Sequence, residues 1–144
     1  MDWEQALALE PFLAYVGIEA ETLGPEYVTL RLRMRREISN HMPGIHAGAQ
    51  FTLGETTAIT ASVLSVGEPL ERLIVLTATA TVTYQRPAQG DLVARASVQH
   101  EQREELRATM NSRGRVRLTI PIEVADSAGQ VVTTLSVVCV LLPR

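Results

Sequence analysis

Between Ala47 and Gly67 the chain reads AGAQFTLGETTAITASVLSVG, small or apolar almost throughout, and its one ionisable side chain is Glu55. The rest of the chain has to fold around this buried-looking helix. An isolated buried carboxylate is costly unless it is paired, hydrogen-bonded or titrated, which makes Glu55 a candidate catalytic group. Upstream, Asn40-His41-Met42-Pro43-Gly44-Ile45 is a turn-rich approach that delivers His46 to the start of the helix. Loop and helix together read as an active site.

With 144 residues the chain fits one domain, over residues 1–144, large enough to bury a core. A hydrophobic fraction of 46% and a charged fraction of 20% are ordinary for a globular protein. The net charge of -3, with no basic block, argues against nucleic acid as the partner. The central helix is as long as a membrane span, but Gln50, Glu55 and its Thr and Ser residues argue against one. The first twelve residues, MDWEQALALEPF, lack the basic start and apolar core of a signal peptide, so the expected location is the cytoplasm. Cys139, the single cysteine, sits in the apolar run VVCVLL and reads as a core strand residue.

Asp2 can cap a first helix with an apolar stripe from Trp3 to Val16, which Pro11 kinks or ends before the break at Gly17. Strands are expected at Ile18 to Leu23 and Tyr27 to Met34, joined at Gly24-Pro25. In the second, Val28, Leu30, Leu32 and Met34 face a core, while Arg31, Arg33 and Arg35 lie on a solvated face. Gly67-Glu68-Pro69 ends the central helix, Leu73 to Tyr84 reads as a strand, and Pro87 to Asp91 as the following turn. Leu92 to Val98 alternates, and His100 to Arg107 is a charged excursion, either a short helix or a hairpin extension. The last strands, Arg115 to Val124 and Gln130 to Leu142, flank the hairpin-type turn Asp126 to Gly129. This order suits an α+β protein whose antiparallel sheet packs on one dominant helix.

The motif Asn40-x3-Gly44-x-His46-Ala47-Gly48-x6-Glu55 resembles the signature of hotdog-fold acyl-CoA thioesterases of the phenylacetate-pathway (PaaI-like) type. Tyr84-x2-Pro87-Ala88-x-Gly90-Asp91 and the Asp126-x2-Gly129 turn also fit, so the likeness covers most of the chain from Asn40 onward. The resemblance implies a hotdog fold, a long helix wrapped by about five to six antiparallel strands, with active sites between protomers. It also implies hydrolysis of acyl-CoA to free acid and coenzyme A without a cofactor, and no metal-ligand spacing is present. Glu55 would then activate water or attack the carbonyl itself. The amide of Ala47, with that of Gly48, would receive the oxyanion at the helix N-terminus. By the same resemblance Asn40 holds the water or carbonyl, His46 orients the loop or polarises the thioester, and Thr77 matches a position that assists the water. Gly44 belongs to the binding motif, and Arg86, Arg113 and Arg115 are the basic residues nearest the turns that could meet coenzyme A phosphates. Three departures stand out: Ala47 for the usual Gly, Glu at 55 for the commoner Asp, and a longer segment from Glu101 to Arg113.

On one straight helix, nine residues separate His46 from Glu55 by about 13 Å and nine steps of about 100° set them on opposite faces. One protomer does not bring both to one thioester, so an obligate homodimer is expected, with tetramers as a further assembly. A non-catalytic acyl-CoA binding protein and a hotdog hydratase or dehydratase are the alternative functions.

Overall fold

The computed structural model describes residues 2–144. Two short helices open it, α1 (Trp3–Leu9) and α2 (Pro11–Val16), followed by strands β1 (Ile18–Leu23) and β2 (Tyr27–Leu32) and the long helix α3 (Ala47–Val66). Then come β3 (Leu73–Tyr84), β4 (Leu92–Ser97), helix α4 (His100–Arg113), β5 (Val116–Ala125) and β6 (Val131–Pro143). The six strands form one antiparallel sheet in the order β1-β2-β4-β5-β6-β3, wrapped around α3 as the hotdog fold requires. No helix among the described residues is long and apolar enough to cross a membrane.

The expected first helix is two helices. Asp2 caps α1 by accepting the Gln5 amide at 2.8 Å, and Pro11, with no N–H to donate, begins α2 instead of kinking one rod. Strand β2 stops two residues short of the expected Met34. Its partner β4 begins at Leu92, opposite Leu32, and the Met34 amide goes instead to the Asp91 carboxylate at 2.8 Å. Beyond Leu32 there is no strand left to pair with.

The arginine row is less free than a solvated face implies. Arg31 pairs with Glu21, whose carboxyl it holds below the usual range, and Arg33 pairs with Glu19. Arg35 donates to the carbonyls of Tyr15 and Val16 and so closes the end of α2. The charged excursion is a full helix, α4. Leu106 and Met110 turn inward, and the nearly buried Arg103 meets Glu26 at 2.8 Å.

Helix α3 is covered on almost every side, from Ala49 and Leu53 through Ala58, Ala61 and Val66. Its buried hydroxyls bond back along the helix: Thr57 to the Leu53 carbonyl at 2.7 Å, Thr60 to Thr56 at 2.8 Å, Ser62 to Ile59 at 2.7 Å and Ser65 to Ser62 at 2.8 Å. A Cβ on Gly54 would come within 2.4 Å of Leu135 Cδ1, so α3 approaches β6 as closely as a glycine allows.

Candidate active site

Two regions of the chain hold most of the residues singled out above. The first surrounds Glu55. This side chain is half-buried in the middle of α3, and Thr77 of β3 donates its hydroxyl to Glu55 Oε1 at 2.5 Å. Thr77 shares the inward phase of Leu73 and Val75, and a bulge in β3 follows it directly. The pairing with β6 slips between Thr77 and Thr79, which changes the inward phase of the strand from Leu73 and Val75 to Ala80 and Val82. No cation forms a salt bridge with Glu55 among the described residues. Glu55 instead borders a cavity of about 520 Å³ whose walls come from Trp3, Leu7, Leu13, Ile59, Leu73 and Val75. Cys139 lies opposite Thr77 in β6, and burial, with a contribution from the Glu55 charge, pushes its thiol up to about 11.

The second region is the start of α3. His46 is the N-cap, and its Nδ1 accepts the Gly48 amide at 2.9 Å. That bond engages one of the two expected oxyanion donors within the chain. The amide of Ala47, an exposed residue, makes no hydrogen bond among the described residues and remains available. Tyr84 donates its hydroxyl to the Ala47 carbonyl at 3.1 Å, and burial raises the phenol's pKa. Asn40 stands beside this helix start with a buried Oδ1 that has no partner among the described residues. Asn40, Ala47, Gln50, Tyr84 and Arg86 share a second cavity of about 390 Å³.

The loop around Asn40 is held by close packing and by two carboxylates. A Cβ on Gly44 would meet the Ala88 carbonyl oxygen at 2.8 Å, so Gly44 serves by its lack of a side chain. Asp91 fixes one end of the neighbouring turn through Met34. The buried Asp126 accepts the amides of Gln89 at 3.1 Å, Ala128 at 3.0 Å and Gln130 at 3.1 Å, tying that turn to the β5–β6 hairpin. Gln50 is a residue the sequence reading passed over. Its buried amide donates to the Ile45 carbonyl at 2.8 Å and accepts from Thr133 at 2.5 Å, locking the loop to α3 and to β6. A buried amide in a segment otherwise so apolar was the available signal.

Glu55, bonded by Thr77, therefore borders one cavity, and Asn40, Ala47 and Arg86 line another. Arg113 and Arg115 belong to neither. Both are exposed, Arg113 as the last residue of α4 and Arg115 just before β5, at the opposite end of that strand from the Asp126 turn. Among the described residues no group of three or more His, Cys, Asp or Glu side chains could hold a metal ion.

A family model described as a domain of unknown function, DUF4442, matches residues 4–141. A Halobacterium salinarum protein provisionally called an esterase is 33% identical over 89 residues, which make up 60% of this chain and 58% of that relative. The match thus spans less than two thirds of the relative's length. Among solved structures, a protein of unknown function from Pseudomonas aeruginosa described as a probable thioesterase is 26% identical, with a TM-score of 0.84, covering 100% of this chain and 97% of its own. A Shewanella oneidensis protein provisionally called a thioesterase has a TM-score of 0.81 at 13% identity, covers 97% of this chain and 94% of its own, and shares the fold alone.

Proposed function

We propose that this chain, which belongs to the DUF4442 family, is a thioester hydrolase that cleaves acyl-CoA to a free acid and coenzyme A. The observation that carries this reading is the Glu55 carboxylate, bonded by the Thr77 hydroxyl, free of any cation among the described residues and facing an apolar cavity. A carboxylate so held keeps Oε2 open to accept a proton from water. The names of the Halobacterium and Pseudomonas relatives, esterase and probable thioesterase, favour the same chemistry.

In the proposed reaction Glu55 takes a proton from water as the oxygen adds to the thioester carbon. The carbonyl oxygen becomes an oxyanion, which the free Ala47 amide at the positive end of α3 receives. Collapse of the intermediate breaks the C–S bond, and the proton held by Glu55 passes to the departing thiolate. Asn40, with its unpartnered Oδ1, orients water or substrate beside the amide. Arg86, which lines the same cavity, would meet a phosphate of coenzyme A. Gly44 and His46 serve by shaping the loop and capping the helix.

The two halves of this machinery occupy separate cavities of one protomer, which favours a homodimer whose sites each combine Glu55 and Thr77 of one chain with Asn40 and Ala47 of the other. Strand β3 supplies a surface for that pairing. It ends the sheet, bonds only to β6, runs for 12 residues and exposes Ile74 and Leu76. A long apolar edge left open is a hazard that association removes. In the dimer the site would need no cofactor.

The decisive experiment measures thiol release from a panel of acyl-CoAs by the wild type and by Glu55→Gln. Glu55→Gln is expected to lower kcat by at least about 100-fold, the loss typical of removing a general base, while the fold persists. Equal turnover in both proteins overturns the assignment. Absence of turnover from either would point to a binding protein or a hydratase. Single turnover in 18O-labelled water detects the nucleophilic route, because water opening the glutamyl–acyl anhydride at the Glu55 carbon leaves the label in the enzyme, whereas general-base catalysis puts it only in the product acid.

A further inference from the structure

The cavity that contains Glu55 extends away from it along two elements. On α3, Ile59 carries the wall one helical turn onward, about 6 Å from Glu55. On β3, the wall runs from Val75 back to Leu73, so that Leu73 stands about 13 Å from Thr77 at about 3.3 Å per residue. Both paths lead from the hydrogen-bonded Glu55–Thr77 pair into the same space. Helices α1 and α2 close it with Trp3, Leu7 and Leu13. Glu10 and Arg144 are the charged residues of the lining apart from Glu55, and Thr56 the remaining polar one, its hydroxyl sealed from the space.

Resting on the hydrolase reading, we propose that this cavity holds an unbranched aliphatic acyl tail of medium length, about eight to twelve carbons, inside the protomer that supplies Glu55. A carbon chain with bonds of about 1.5 Å and angles of about 111° advances about 1.25 Å per bond, so the path of about 13 Å from the Glu55–Thr77 pair past Val75 to Leu73 is spanned by about ten carbons. That length, and a volume of about 520 Å³, exceed what a single aromatic ring would fill. Beyond Glu55, Glu10, Thr56 and Arg144 the walls are Leu, Ile, Val and Ala side chains with Trp3 and Phe12, which suit a flexible hydrocarbon chain. Trp3, Leu13 and Ile59 are the specificity-determining residues, since their bulk sets how far the tail can reach.

Trp3 is the chain's single tryptophan, so occupancy of the cavity has its own optical signal, independent of turnover. Titrating the full chain carrying Glu55→Gln with decanoyl-CoA is expected to give a saturable change in tryptophan emission that coenzyme A alone does not produce. Identical responses to the two, or no response to decanoyl-CoA, overturns the proposal. With the wild type, kcat/KM is expected to rise about fourfold per added methylene up to about ten carbons and then fall. Ile59→Phe should lower kcat/KM for decanoyl-CoA at least about tenfold more than for butyryl-CoA, a ratio that a general loss of folded protein does not change. A chain-length profile that is flat refutes the cavity assignment and leaves the hydrolase reading intact. A tryptophan response without release of thiol from any thioester does the reverse.

Discussion

Cys139 illustrates how much one residue's setting says about the site above it. Its thiol is fully buried in β6, directly across from Thr77, and has been pushed up to about 11 from an ordinary value of 9.0. The folded state thus favours the neutral thiol. That contribution is complete below about pH 9 and is lost as the pH rises towards 11, where the unfolded chain gains by ionising its thiol. A rise of this size corresponds to about 2–3 kcal/mol. Denaturant unfolding between pH 8.5 and 11 should therefore show the wild type losing about 2 kcal/mol more than Cys139→Ala, and parallel curves would refute the account. At this scale the sequence was informative about Glu55, because it is the one ionisable group in its segment. It was nearly silent about Thr77. In the run TATATVT nothing sets Thr77 apart from the threonines beside it, and threonine in a strand is ordinary packing. His46 was legible as the first residue of the helix, but its use as a cap for the Gly48 amide depends on a rotamer that no motif specifies.

Among the elements, α3 carries the greatest constraint, and Gly54 is where it is tightest. Leu135 Cδ1 and Cδ2 would lie 2.4 and 2.9 Å from a Cβ at that position. Gly54→Val should lower stability by about 1–3 kcal/mol through overpacking, and Leu135→Ala in the same chain should relieve part of that loss. Urea midpoints of the two single variants and the double variant provide the check, with simple additivity refuting direct contact. Most element bounds were readable from alternation and turn residues: β1 and β3 occur as expected, and α3 begins one residue after its cap. The departures arise where a tertiary partner decides. β2 ends because β4 begins opposite it, and α4 outgrows its charged start because Leu106 and Met110 find the core. No local pattern contains either fact.

At the level of the whole molecule, a shared site makes a quantitative prediction. Coexpressed Glu55→Ala and Asn40→Ala chains that assort at random form mixed dimers half of the time, and each mixed dimer has one site built from two unaltered halves. About a quarter of wild-type activity should return, whereas either variant alone stays inactive. No recovery, or a fully active monomer by light scattering, would refute the shared site. The sequence carried this expectation through the helical separation of His46 from Glu55, and the proposed sharing would join the two cavities that one protomer keeps apart. It could not indicate that Arg113 and Arg115 stand apart from both cavities, because that depends on which end of β5 faces the Asn40 loop.

Helix α4 interrupts the chain between two strands that pair regardless: Val93 lies opposite Ala125 with the whole helix between them in sequence. The sheet's register is therefore indifferent to how that crossing is made. Trp3 and Arg144, meanwhile, border the same cavity, so these two positions lie within reach of a short bridge. A circular permutant follows directly from these two facts. With a short linker joining the old ends and new ones opened in the exposed stretch Asn111 to Arg113, β5 would become the first strand of a reordered chain whose three-dimensional wiring is unaltered.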